Sequence, residues 1–167
     1  MKNKSKLLFI LFMLLISSCG KRNMINIPYA EQGGFHTINK SEFNNLFNSK
    51  ENNVFLFTLS SGNYCDTCYG GTLADLNQYA YDNNFVINEY IFDVDNKDFI
   101  NDYKEIDKEM RKNNNDLGFD EITYSEDKPI ISDLPSLFVV SEGYIALKVK
   151  RDFVKTLRET VKVEKNS

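Results

Sequence analysis

The run NVFLFTL, residues 53–59, constrains this chain more than any other stretch. A strand with one wet face alternates apolar and polar side chains. This one barely alternates, which predicts a strand covered on both faces. Covering both faces takes helices on either side of a sheet, an α/β architecture. The 167 residues suffice for one such domain plus a short appendage. With 42% hydrophobic residues, including 13 Phe and 9 Tyr, the domain can bury a sizeable core.

Around that run the pattern reads β α β α β (α) β β α. Residues 35–38 (FHTI) form a short strand, and Ser41 is placed to cap a helix over 42–49 with Phe43, Leu46 and Phe47 on one face. A helix is expected from the cysteines after the central strand to about Asn83, with Leu73, Leu76, Tyr79 and Ala80 inward. Gly70-Gly71 should weaken or bend it, by about 1 kcal/mol per Gly relative to Ala. Residues 85–95 read as a strand, and 98–113 as an amphipathic helix burying Phe99, Tyr103, Ile106 and Met110. Residues 114–127 are polar and loop-like, with Ile122 and Tyr124 alternating as in a short strand. Strands 136–141 and 144–150 follow, joined by a tight turn at Glu142-Gly143. A last helix, 151–162, would align Phe153, Leu157 and Val161.

The first eighteen residues read as an export signal. Lys2, Lys4 and Lys6 precede ten unbroken apolar residues, Leu7 to Ile16, too few for the roughly 20 of a spanning helix. The end of this segment, LLISSCG, resembles the lipobox of bacterial lipoproteins. That resemblance implies lipidation at Cys19, which becomes the first residue of the mature chain; the other reading is an ordinary cleaved signal in which Cys19 has no role. Residues 19–34 lack periodicity and end in Gly33-Gly34, so they are expected to be a flexible tether spanning roughly 20–25 Å. The domain proper is then 35–167, with 97–127 as an insertion.

Without residues 1–18 the chain holds 17 basic against 24 acidic residues, a net −7. Such a surface makes nucleic acid an unsuitable partner and lacks a polybasic membrane patch. Membrane attachment would rest on acyl chains. The acidic runs at 93–109 and 116–127 read as solvated faces.

Three cysteines are an odd number for an exported chain. If Cys19 carries lipid, the remainder is one pair, Cys65 and Cys68, in GNYCDTCYG directly after the apolar strand. A Cys in the first turn of a helix faces the positive end of the helix dipole, which favours thiolate, the nucleophilic form. The two-residue gap brings the second sulfur within bonding reach. Cys65 can then attack a disulfide, and Cys68 can resolve the mixed disulfide. Other readings of the pair are a structural zinc site, a permanent disulfide closing a short loop, and two idle thiols. Zinc needs four ligands, and beyond Cys19 only His36 is a soft candidate, so no metal and no cofactor are expected. His36 is assigned no role.

The aromatic-Cys-x-x-Cys after a buried strand, the following helix, the strand ending FDVD and the segment LPSLFVVSEGYIALKV together resemble the thioredoxin superfamily across about residues 35–163. The resemblance implies a thioredoxin-like α/β fold, a central mixed β-sheet flanked by helices with a helical and loop insertion ahead of the proline strand. It further implies a cis Leu134–Pro135 bond beside the dithiol. The Leu134 backbone would pair with an extended substrate and Tyr64 would be a flat cover, making Tyr64, Leu134 and Pro135 substrate-binding residues.

Several features depart from the family. Asp66 and Thr67 replace Gly-Pro between the cysteines. The family's buried Asp should fall near Thr58–Leu59, where no acid stands, so Cys68 would lose its proton by another route. Asp66 also places negative charge beside Cys65, which disfavours thiolate by roughly 0.3–1 kcal/mol. That leans the potential toward the reducing end of the roughly −270 to −120 mV range.

The function expected is a lipid-anchored thiol–disulfide oxidoreductase on the outer face of the cytoplasmic membrane. It would act on exported proteins with Cys pairs and exchange electrons with a membrane or extracytoplasmic thiol partner. Accessory proteins of bacteriocin export share this outline. The alternative is a lipid-anchored binding or accessory module that displays the 97–127 insertion and carries a non-catalytic disulfide.

Overall fold

A computed structural model describes residues 24–60, 66–112, 114, 117–120, 122–125, 128–130 and 134–165. Its centre is a five-stranded mixed sheet in the order β2 (Gly34–Thr37), β4 (Val86–Phe92), β3 (Asn53–Leu59), β7 (Ser136–Ser141), β8 (Tyr144–Val149). The first three strands run parallel; β7 is antiparallel to β3, and β8 to β7. Helices cover both faces, the architecture that the thioredoxin resemblance implies. The apolar run 53–59 is β3 residue for residue, and every side chain from Val54 to Thr58 is buried.

Strand alternation divides the interior in two. Phe55 and Phe57 point to one core, completed by α1 (Lys40–Phe47) and α3 (Phe99–Arg111). Val54 and Leu56 point to the other, completed by α2 (Asp66–Asp82) and α4 (Phe153–Thr160). The expected stripe of α3 is all buried: Phe99, Tyr103, Ile106 and Met110. Leu76 and Ala80 of α2 are fully buried.

The cap of α1 is Asn39, not Ser41. Its side chain accepts from the Glu42 N–H at 3.0 Å, and the Glu42 carboxylate accepts from the Asn39 N–H at 2.8 Å. Asn caps as well as Ser, and the acid three residues on satisfies a second free donor. This reciprocal pair sets the start of the helix at Lys40.

The expected tether does not extend to residue 34. Ile25–Pro28 forms β1, paired in parallel with β9 (Val161–Glu164), and Ile27 is buried. Gly33 packs so closely on α2 that a Cβ there would stand 2.3 Å from the Ala80 carbonyl oxygen. The last helix correspondingly ends at Thr160, and Val161 is extended at φ −117°. Two β-branched residues in Val161-Lys162-Val163 suit a strand once a partner is present.

Part of the chain after α3 is built into the core. A two-stranded hairpin, β5 (Thr123–Ser125) with β6 (Lys128–Ile130), follows it. Before the hairpin, Phe119 is 1% exposed and its ring lies 4.9 Å from Phe57 and 4.6 Å from Tyr103, centroid to centroid. Asp107 on α3 accepts from the Phe119 N–H at 2.6 Å, while Arg111 donates to the Phe119 carbonyl. No described helix is long and apolar enough to cross a membrane.

Candidate functional site

The site elements expected from the sequence are the first turn of α2, which follows β3 in the chain, and the residues that lead into β7 at the carboxyl end of β3. From Leu59 the chain passes to α2, whose first turn holds Asp66, Thr67 and Cys68. The side chains of these three residues lie outside those described, as do Tyr64 and Cys65 altogether. Cys19 and residues 1–18 also lie outside the described residues.

Leu134 and Pro135 lie at the carboxyl end of β3. β7 starts at Ser136, whose register partner on β3 is Phe57. The two residues preceding β7 therefore lie beside the last residues of β3. Both are buried, and the peptide bond between them is cis.

Sequence reasoning missed one acidic residue on this part of the sheet. Glu89 of β4 is half-buried, and its Oε1 accepts from the Thr58 hydroxyl at 3.2 Å. Thr58 itself is 5% exposed. Burial pushes the Glu89 carboxyl above its ordinary range, and the Thr58 hydrogen bond opposes part of that rise. The available signal was the alternation in VINEYIF: Ile87, Glu89 and Ile91 share one face, so an acid interrupts an apolar stripe. Beside Thr58 in register stands Ile91, 40% exposed. The sheet thus ends in an apolar shoulder next to a partly desolvated carboxylate.

His36 lies exposed on β2, away from this end. Among the described residues no three His, Cys, Asp or Glu side chains cluster as metal ligands.

No protein-family model matches the chain, and neither does any curated protein. Similar solved structures include thioredoxin O2 from Arabidopsis thaliana in the oxidised state. It is 17% identical, with a TM-score of 0.38 over 75% of this chain and 89% of that one. Another is a structure on the thiol resolving mechanism in yeast mitochondrial 1-Cys peroxiredoxin via glutathione/thioredoxin systems. It is 16% identical, with a TM-score of 0.39 over 75% of this chain and 91% of that one. The fold described above rests on its own strand order and register, not on these likenesses.

Proposed function

We propose that this chain is a thiol–disulfide oxidoreductase whose working pair is Cys65 and Cys68. The observation that carries the reading is the path of the chain. The helix that contains Cys68 follows β3 in the sequence, and Leu134-Pro135 leads into the strand registered against the carboxyl end of β3. An extended polypeptide laid along Leu134 would present its disulfide to the dithiol, with main-chain pairing holding the substrate. Cys65 attacks one sulfur of the substrate disulfide, and Cys68 displaces the substrate from the mixed disulfide.

In this reading Cys19 carries the lipid that holds the domain at the outer face of the cytoplasmic membrane. The segment between Cys19 and β1 is short, so the dithiol works close to the membrane on exported proteins. A membrane or extracytoplasmic thiol partner restores the starting state. Accessory roles in export, such as bacteriocin transport, fit the same chemistry. The alternative, a module displaying its insertion to a partner, gains no specific support, because α3 and Phe119 turn their apolar surface into the core.

The test is trapping. Cys68→Ser expressed in the native cell should accumulate mixed disulfides through Cys65, identifiable by mass spectrometry, while Cys65→Ser should not. Wild type should reduce insulin disulfides. An empty trap together with an inactive wild type would leave the binding module as the better account.

A further inference from the structure

The amino ends of β3 and β4, with β2 beside them and the chain leaving β1 across them, enclose a cleft of about 240 Å³. His36, Asn53 and Asn88 line it, as do Tyr29, Glu51 and Asn52. His36 and Asn88 are register partners on parallel strands, so alternation sends their side chains to the same face of the sheet. Asn53 opens β3. The cleft therefore lies at the opposite end of the sheet from Leu134-Pro135, a strand length of roughly 20 Å away.

The three asparagine amides fix what this lining offers. Asn53 Nδ2 donates to the Leu46 and Glu51 carbonyls at 3.3 and 3.1 Å and to the Ser49 hydroxyl at 3.3 Å. That leaves Asn53 Oδ1 to accept from Asn88 Nδ2 at 3.5 Å, while Asn88 Nδ2 also donates to the Val54 carbonyl at 3.3 Å. Flipping the Asn88 amide would set its oxygen against two other acceptors, so its orientation is determined. Asn52 Nδ2 donates to the Asn26 carbonyl. Each amide thus spends its donors on the protein and keeps an acceptor in hand. Among the described residues nothing donates to Asn88 Oδ1, although Asn88 is only 6% exposed. A buried acceptor without a donor is costly, and a ligand that brings the donor recovers that cost.

We propose that this cleft binds a primary ammonium or guanidinium group, carried by a small molecule or by a lysine or arginine side chain. The N–H donors of the cation pair with the Asn88 and Asn52 oxygens. The exposed Glu51 carboxylate supplies the opposite charge, and no Lys or Arg lines the cleft to oppose it. A cation is already drawn to this end of the domain: Lys165 Nζ lies 4.7 Å from the centre of the Tyr29 ring. The volume falls below the roughly 300 Å³ at which pockets for drug-sized ligands begin, so it suits one such group with a short stem along Pro28 and Val86. No cysteine takes part, so the inference holds or fails separately from the oxidoreductase reading.

The test is an NMR titration of the full chain with ethylammonium, ethylguanidinium and tetramethylammonium chlorides, following the Asn88 side-chain amide and the His36 ring. Ethylammonium or ethylguanidinium should move both signals saturably, with a Kd of about 1–20 mM. Tetramethylammonium, equal in charge but without an N–H donor, should not. Asn88→Leu should weaken binding about tenfold. Glu51→Gln, an exposed change that the fold tolerates, should weaken it about two- to fivefold. An N-acetylated tripeptide amide with Arg or Lys between glycines separates the two sources. Binding about tenfold tighter than the free cations assigns the site to a protein side chain, and equal or weaker binding assigns it to small amines. Signals unmoved at about 100 mM, shifts that tetramethylammonium reproduces, or binding unchanged in both variants would overturn the proposal and leave the cleft to water.

Discussion

On one face of the sheet Phe57 is surrounded by the rings of Phe43, Phe92, Phe119 and Phe138, at centroid distances of 4.9–6.1 Å. On the other face Leu56 shares its core with Leu76, Leu137 and Val139, and that face ends at the Thr58–Glu89 pair. Edge-to-face rings hold one another in specific orientations, each pair adding about 0.5–1.5 kcal/mol beyond burial. The aliphatic side packs without that directionality and accommodates the Glu89 carboxylate. The directional ring contacts lie on the face remote from α2, and the ionisable group lies on the other face. That division frees the α2 face to carry a group that weakens the fold.

The most severe way to break this contrast is Phe119→Ala. Removing the ring that closes the aromatic core should cost about 3–5 kcal/mol in denaturant unfolding, although the residue belongs to a loop. A loss below about 1 kcal/mol would show that the segment after α3 is not part of that core. Next is Gly118→Ala. A Cβ at residue 118 would stand 2.1 Å from Asp107 Oδ1, the atom that holds the Phe119 N–H. Relieving that overlap should displace the loop and cost about 1–3 kcal/mol, with the Phe119 contacts loosened in NMR spectra.

The smallest effect has the opposite sign and sharpens the comparison. A carboxyl whose folded pKa is raised by burial binds its proton more tightly in the folded chain. Its ionised form therefore costs stability above that pKa, and the cost fades as pH falls. Glu89→Gln, which keeps an acceptor for the Thr58 hydroxyl, should raise Tm slightly at about pH 7. The gain should disappear below the ordinary carboxylate range of about 4. A lower Tm at both pH values would mean that the carboxylate stabilises the fold.

What the sequence revealed follows from the range over which each signal acts. The run 53–59, the α3 stripe and the Glu142-Gly143 turn are set by neighbours within a few residues, and each appears where its pattern predicts. β1 did not announce itself, because Ile25-Asn26-Ile27 alternates too briefly, and its partner Val161-Lys162-Val163 lies more than 130 residues on. Phe119 looked like part of a polar loop because the rings that receive it come from β3, β4, α3 and β7. Glu89 escaped for a related reason. An acid in a strand reads as solvent-facing until the helix covering that face is known. The convergence of Leu134-Pro135 with the carboxyl end of β3 came from the resemblance, not from any local pattern.

The β1–β9 pairing couples the two ends of the domain mechanically. Ile25 lies against Val161 and Pro28 against Glu164, so the strand nearest the amino terminus is fastened to the one nearest the carboxyl terminus. Were the chain held at Cys19, a tug from a membrane anchor along β1 would load all of those inter-strand hydrogen bonds together, in shear. Trimming the last few residues would release that fastening and leave the opposite end of the domain loose.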